Sequence, residues 1–516
     1  MVIAVMKNRR LLDFGIGAVS AALGLGLSEL VAGVLGGVPS LIESLGGFVI
    51  DNVPPAVKDW AISTFGIYDK LVLVISIALV ALLFGGLIGV LARGRFWIAM
   101  TGFIGFGLVA SLAGSTQGNV SLGVAIVPAG VAALAGLFAM DRLYGSGSKD
   151  EVPSDPARRS VLIGLAAVGA VAGLSAGLGR VLLEQAKRRL AGRAEVVLPD
   201  PTQIAPPVPG GAELGLPGLS PVVTPNEDFY RIDTALTVPR VDLENWALTV
   251  TGMVDRPYSI GYDQLLEMPM VERYVTLSCV SNRVGGDLVG NAKWLGVPLV
   301  EILNRAGIKP EAEQVVGRSV DGDDFTVGFP VEAVFDGREA LVAVGMNGEP
   351  LPFEHGFPAR LVVAGLYGYV SATKWLAEIE LTGWDEFDAY WIPRGWSKEA
   401  PIKTQSRIDP PRVPDRLAPG RNVIAGVAWA PERGISKVEV QVGDDGPWLS
   451  ADLSEPLSAD TWVQWKLETD LAPGLTRLRV RATDGDGELQ DERQRPPAPN
   501  GATGYHALSA FVSEEA

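Results

Sequence analysis

The chain has 516 residues, a net charge of −16 and one cysteine. A single thiol excludes an internal disulfide, a four-cysteine iron–sulfur centre and a structural zinc site, and two histidines, His355 and His506, exclude a three-histidine zinc centre. Charge is unevenly divided, about +5 over residues 1–193 and −21 over 194–516. The first part reads as membrane-embedded, and the second as an acidic soluble region with nothing to neutralise a nucleic-acid backbone.

Five apolar stretches can be drawn as membrane spans, at about 12–36, 69–92, 96–114, 119–140 and 160–183. Leu71–Ala92 and Val161–Gly179 contain no charge, and the charge-free run Phe96–Met140 is divided by the polar turn Ser115-Thr116-Gln117-Gly118-Asn119. The first span is the weakest, with Asp13 at its start and Glu29 inside it. A membrane carboxylate is either functional or placed to reach the interface. Lys7, Arg9 and Arg10, then Arg93 and Arg95, then Arg142, Lys149, Arg158 and Arg159 fall on one side, and the alternate loops are poor in basic residues. That bias puts the amino terminus in the cytoplasm and, after five crossings, the acidic region outside. The apolar loop 37–68 (Ile42, Phe48, Val49, Ile50, Trp60, Phe65) is expected to lie along the outer surface.

Ahead of the fifth span, Ser154-Asp155-Pro156-Ala157-Arg158-Arg159-Ser160-Val161-Leu162 resembles an internal twin-arginine export signal without the usual Phe and trailing Lys. The alternative is a positive-inside anchor. The basic run Lys187-Arg188-Arg189 beyond the span opposes threading of an unfolded chain and tilts the reading towards folded export.

Residues 1–193 thus form an all-α transmembrane region, followed at 194–225 by a Pro/Gly-rich segment expected to be an extended linker. From Phe229, β-type runs (Trp246–Val254, Tyr274–Val280, Arg360–Val363) alternate with short helical runs (Val297–Arg305, Val331–Phe335), an α+β pattern for a domain at 226–415. After Pro410, Pro411 and Pro414, the runs Val423–Trp429, Ile435–Val442, Trp462–Leu467 and Leu475–Ala482 are linked by Gly/Asp turns. The region 416–516 reads as an immunoglobulin-like β-sandwich.

Cys279 lies in the strand-like stretch Tyr274-Val275-Thr276-Leu277-Ser278-Cys279-Val280-Ser281-Asn282. Taken alone, it is a small buried hydrophobe or a soft thiolate ligand to a metal. Its surroundings favour the second. Thr276-Leu277-Ser278-Cys279-Val280-Ser281-Asn282, followed by Gly285-Gly286-Asp287 and by Lys293-Trp294-Leu295-Gly296-Val297-Pro298-Leu299, resembles the cofactor-cysteine segment of sulfite oxidase-type molybdopterin enzymes. So do Met346-Asn347-Gly348-Glu349-Pro350-Leu351-Pro352-Phe353-Glu354-His355-Gly356-Phe357-Pro358-Ala359-Arg360 and Lys374-Trp375-Leu376. The carboxyl-terminal sandwich, with Ala425-Gly426-Val427-Ala428-Trp429 and Gly446-Pro447-Trp448, is similar to that family's dimerisation domain. The resemblance covers about 215–516.

The resemblance implies that Cys279 supplies the protein thiolate to molybdenum beside the pterin dithiolene. It implies cofactor-binding positions at Phe229, Tyr230, Arg231, Ile232, Asp233, Asp321, His355, Arg360, Ala372, Thr373 and Lys374. Their chemistry suits this: Arg360 and Lys374 can hold a phosphate, and Asp321 and His355 can hydrogen-bond a polar pterin edge, although Asp321-Gly322-Asp323-Asp324 is equally a surface turn. No haem and no iron–sulfur cluster is expected in this chain.

At the substrate the pattern departs from sulfite oxidases. Arg231 is kept, but Asp233 stands where they carry a histidine, and a carboxylate there repels an oxyanion. Tyr390, beside Trp391, is the counterpart of the family's active-site tyrosine, and Arg283 could restore positive charge. The leading reading is an outward-facing, membrane-tethered molybdenum oxidoreductase transferring an oxygen atom with two electrons on a small oxo-substrate such as sulfite. It would hand electrons to a separate cytochrome or quinone and dimerise through 416–516. The alternatives are a sulfoxide or other S/N-oxide reductase on the same cofactor, and a non-catalytic extracytoplasmic sensor or interaction protein that keeps the fold.

Overall fold

A computed structural model describes residues 2–35, 40–54, 68–115, 122–145, 155–190, 192–235, 238–320, 322–412 and 416–513, with a few further positions between 57 and 65. The chain forms two compact units, Met1–Ala191 with Ala235–Arg240, and Gly192–Thr234 with Val241–Ala516.

The first unit is helical. Five stretches are long and apolar enough to cross a membrane: Arg9–Leu35, Asp69–Ala92, Phe96–Ser115, Leu122–Tyr144 and Leu162–Leu183. The first and last lie within longer helices, Val2–Leu35 and Asp155–Leu190, which run on past their apolar parts. Most of the polar turn expected at 115–119 falls outside the described residues, and so do the side chains of Arg158, Arg159 and Lys187 to Arg189. In the loop expected along the membrane surface, Leu41–Asn52 is a short helix capped by the Ser40 side chain.

The span that looked weakest is the most buried of the five. Its glycines explain the close packing. A Cβ at Gly17 would overlap Gly85, one at Gly26 would overlap Ala172, and one at Gly33 would overlap Gly179. Asp13 pairs with Arg93 at 2.6 Å, and Glu29 with Arg180 at 3.1 Å while accepting from the Ser40 hydroxyl. Arg180 also reaches Glu43, at 3.1 Å. Each carboxylate sits towards an end of the apolar stretch Arg9–Leu35 and is paired, so both act as bundle clamps.

The second unit is β-rich. One sheet has the order Val271–Ser278, Val289–Pro298, Ala340–Met346, Glu349–Pro350, with Arg360–Val363 also on Ala340–Met346. Another has the order Tyr258–Gly261, Ala247–Gly252, Leu376–Thr382, Gln314–Ser319, Gly322–Pro330, and its only parallel pair is Ala247–Gly252 with Leu376–Thr382. The helix Leu299–Ala306 turns Leu299, Ile302, Leu303 and Ala306 inward, the 3–4 spacing of one helical face. These residues join the core of Leu248, Val250, Val297, Phe329 and Leu361.

Residues 416–513 contribute to two further sheets. One runs Gln405–Ile408, Gly420–Trp429, Val463–Leu471, Asp452–Leu453; the other runs Arg416–Leu417, His506–Val512, Gly474–Asp484, Ile435–Val442, Trp448–Ser450. Ile424, Val438, Val440, Trp465, Leu478 and Val480 form their shared core. The four tryptophans of this region, Trp429, Trp448, Trp462 and Trp465, are mostly buried within the chain. Trp429, Trp462 and Trp465 are fully covered, the first two by joining the core of the preceding domain, and only Trp448 is partly exposed, against Arg481 and Tyr505.

The Pro/Gly-rich segment has no regular element after Glu195, yet it is tied down. Ala212 and Val222 are buried, Asn291 donates its side-chain amide to Val222 O at 2.7 Å, and Gln464 donates to Glu213 and to Ser220 O, both at 2.8 Å. It straps the cysteine hairpin to the C-terminal sheets.

Candidate active site

Cys279 follows directly on the strand Val271–Ser278, whose last four residues are all buried. Its N–H donates to Leu288 O at 2.9 Å, and Leu288 N–H donates to the Asn282 side chain at 3.0 Å, closing a tight loop over 279–288. The thiol is 7% exposed and lies 2.9 Å from the Ser281 hydroxyl. Burial pushes the thiol's pKa up, while Ser281 and the Lys374 ammonium oppose the shift. A buried thiol of this kind stays protonated unless a cation binds it.

The C-terminal sheets close the other side of this loop. Arg407 donates to Gly286 O at 2.7 Å while pairing with Asp409 at 2.6 Å. Gly285, at φ +77°, packs so closely on the His506 ring that a Cβ there would overlap it. Thr276, three residues before the cysteine, accepts from Trp462 N–H at 2.8 Å.

Phe229 stacks on Tyr230 (centroids 5.2 Å) and meets Trp294 and His355 edge-on at 5.8 and 5.5 Å. It fits because residue 290 is glycine; a Cβ there would fall 2.8 Å from the Phe229 ring. The His355 Nε2 lies 2.9 Å from Asn226 O, and burial lowers this imidazole to about 4, so it is neutral at pH 7. Arg360 is 5% exposed, donates to His355 O at 3.1 Å and lies over Trp294. Among the described residues it has no carboxylate partner, and burial lowers it to about 10.

Lys374 follows Thr373 in a strained turn, with Trp375 next at φ +52°. The Trp375 Nε1–H bond to Phe353 O, 2.8 Å, holds that conformation. Gly356 lets the His355 loop approach, since a Cβ there would lie 3.0 Å from Lys374 Cβ. The Lys374 ammonium donates to Asp233 and to Glu354 O, both at 3.0 Å. Burial lowers it to about 8, against the pull of Asp233 and with the push of Arg360 and Arg231. The same Asp233 oxygen accepts from Arg231 Nε at 2.8 Å.

Phe229, Tyr230, Arg231, Asp233, Cys279, His355, Arg360 and Lys374 are therefore drawn together by direct contacts or through-space charge. Ile232 points outward at 44% exposure. Ala372 is buried, and the Thr373 hydroxyl is buried against Gly317 without a hydrogen-bond partner among the described residues. Asp321 lies outside the described residues. Arg283 is exposed at the loop tip. Tyr390 packs on Phe325 and Trp391 under Arg394, and no described contact joins it to Cys279.

Two buried tyrosines, Tyr230 and Tyr367, lie within electrostatic reach of the cysteine. Burial raises both hydroxyl pKa values, Tyr367 to about 12, and the thiolate adds to each shift. Tyr367 escaped the sequence reading, as did Ser281 as thiol partner and Asn226 as anchor of His355. The only available signal for Tyr367 was the run Gly365-Leu366-Tyr367-Gly368, just before the Ala372-Thr373-Lys374 turn.

Residues 235–391 match the family model for the oxidoreductase molybdopterin-binding domain. The domain is of the sulfite oxidase type. Human mitochondrial sulfite oxidase is 28% identical over 321 residues, covering 53% of this chain and 58% of that one. The Arabidopsis thaliana sulfite oxidase is 28% identical over 332 residues, covering 53% and 84%. NADH nitrate reductase of Solanum lycopersicum is 26% identical over 328 residues, covering 50% and 35%. This chain thus spans under two thirds of several curated relatives. Among solved structures, the sulfane dehydrogenase SoxCD of Paracoccus pantotrophus superposes with a TM-score of 0.50 at 23% identity, covering 56% of this chain and 82% of that one. It shows the shared fold.

The residues fit a molybdopterin. Arg360 is a buried cation lacking a described carboxylate, Lys374 is a second one only part-neutralised by Asp233, and both suit a phosphate. Cys279 is the soft donor that these residues offer a metal bound with the cofactor.

Proposed function

We propose that this protein is a membrane-tethered molybdenum-cofactor oxidoreductase whose catalytic region faces outward. Its reaction is two-electron oxygen-atom transfer on a small oxo-substrate such as sulfite. The single observation that carries the reading is the convergence of the buried Cys279 thiol with Arg360 and Lys374 in the matching domain. Cys279 would ligate molybdenum, Arg360 and Lys374 would hold the cofactor's phosphate, and neutral His355, Phe229 and Tyr230 would line its pterin. The bound cofactor supplies the oxygen-atom transfer and the store of two electrons. For sulfite, water provides the added oxygen, and two protons and two electrons leave, the electrons to a separate cytochrome or quinone.

A second reading, reduction of an uncharged S- or N-oxide, is favoured by one contact. Asp233 pairs with both Arg231 and Lys374, at 2.8 and 3.0 Å, and its one negative charge offsets about half of their combined attraction for an anion. Orientation rests on the one-sided Lys and Arg, and export on Arg158-Arg159. The C-terminal sheets are taken as an immunoglobulin-like dimerisation domain. The register partners Leu475 and Phe511, 73% and 47% exposed, give it an apolar face, and sedimentation showing a monomer at micromolar concentration would count against it.

Metal and pterin analysis of the purified full-length protein, with sulfite and dimethyl sulfoxide as test substrates, decides the main point. About one molybdenum per chain with turnover of either substrate is expected. Folded, freshly produced protein without molybdenum would leave the non-catalytic reading standing.

A further inference from the structure

A polar cleft of about 770 Å³, counting its open mouth, lies where Lys403–Gln405 meets the returning chain Leu489–Thr503. Two cations face it. The Lys403 ammonium donates to Asn500 Oδ1 at 3.1 Å and to Gly501 O at 2.8 Å, both neutral acceptors, which leaves one N–H free for another partner. Arg495 is exposed and makes no ion pair among the described residues. The carboxylates close by are already matched. Asp491, on the cleft wall, is held through both oxygens by Arg493 at 2.9 Å while its charge also reaches Lys403 and Arg495, and Asp484 beside Thr404 is held by Arg433 at 3.0 Å. Two cations without a hydrogen-bonded carboxylate thus converge on one cleft in a region carrying −21. Burial and the Arg495 charge press the Lys403 ammonium towards losing its proton, with Asp491 opposing, and a bound anion would add to that opposition.

The walls are preorganised. Gln405 donates its amide to Ala502 O, and Gln490 donates to Gly504 O and accepts from the Ser406 hydroxyl. We propose that this cleft is a binding site for a small inorganic oxyanion of the sulfate and phosphate class, held between Lys403 and Arg495. It shares a wall with the cysteine site. The Lys403 backbone bonds the Tyr367 hydroxyl, Gly501 packs against that same hydroxyl, and Tyr367 in turn senses the Cys279 thiolate. The cleft stands on its own geometry and needs no molybdenum.

The test is calorimetric titration of the full-length protein in detergent with sodium sulfate and, separately, sodium phosphate, at ionic strength held constant with sodium chloride. Saturable binding of at least one anion is expected. Lys403→Met and Arg495→Met should each weaken it about tenfold or more, the loss of one charge-assisted hydrogen bond. Lys403→Arg should restore it, which separates loss of charge from collapse of the cleft. Whichever anion saturates identifies the occupant. Heat that chloride abolishes equally, or binding that survives both methionine variants and so belongs to Arg360 and Lys374, overturns the proposal. Neither result depends on turnover, so an absent molybdenum would sink the proposed function and leave this site standing.

Discussion

The Cys279 thiol is held at the end of a buried strand and touched by Ser281, so its replacement tests chemistry with little change of shape. Cys279→Ser should fold and retain pterin fluorescence, and activity should fall about a hundredfold or more with loss of the soft donor. Wild-type turnover by this variant would end the ligand assignment. Asp233 stands where the resemblance to sulfite oxidases leads one to expect a histidine. Asp233→Asn keeps the volume and the hydrogen-bonding capacity and releases Arg231 and Lys374 from their shared carboxylate. Because Asp233 raises the Lys374 pKa, the variant's lysine should titrate below the wild-type value of about 8, so the comparison belongs near pH 6, where Lys374 stays charged. The KM for sulfite should then fall about tenfold, one charge of difference near the substrate, with no change for dimethyl sulfoxide. Equal effects on both substrates would show that Asp233 does not read charge.

At the scale of elements, the strand His506–Val512 carries a pH dependence into the cysteine loop. His506 Nδ1 accepts from Ile408 N–H at 3.0 Å, and burial, with Arg407 adding and Asp409 opposing, lowers the ring to about 4. Protonation at Nδ1 would break that bond. An unfolded histidine protonates near 6.5, so between pH 6.5 and 4 the unfolded chain binds the extra proton and the fold does not. The resulting stability is fully present above 6.5 and is lost as pH falls towards 4, on the order of 3 kcal/mol. His355 titrates in the same direction, so His506→Gln should remove only about half of the step. Thermal unfolding followed by tryptophan fluorescence at pH 7 and pH 4.5 measures it. An identical pH slope in wild type and variant would show that His506 does not bear on the fold.

For the whole molecule, the proposed outward orientation carries a requirement that can be tested. A domain folded round a cofactor could not pass a channel for extended chain, so on that proposal Arg158-Arg159 ahead of the last span would serve as an export signal. Arg158→Lys with Arg159→Lys keeps the charge, so a mere topology anchor would survive the change. The expected outcome is four inserted spans with the acidic domain left inside, scored by protease protection. Exposure of a molybdenum-bearing domain outside in that variant would reduce the pair to an anchor.

Hydropathy and short motifs are local properties, and what they determine was legible in the sequence. The five apolar stretches needed only unbroken runs of residues such as Leu71–Ala92, and the cofactor domain needed only the segments round Cys279, His355 and Lys374. The contacts that decide charge and burial join residues far apart in the chain, and no local pattern encodes them. Asp13 meets Arg93 across 80 positions, Lys374 meets Asp233 across 141, and Trp462 donates to Val222 O across 240. Those pairings turned suspected membrane acids into clamps and an expected linker into a strap. They also brought Tyr367 within electrostatic reach of the cysteine, because a side chain's environment is set by which strands the fold brings side by side.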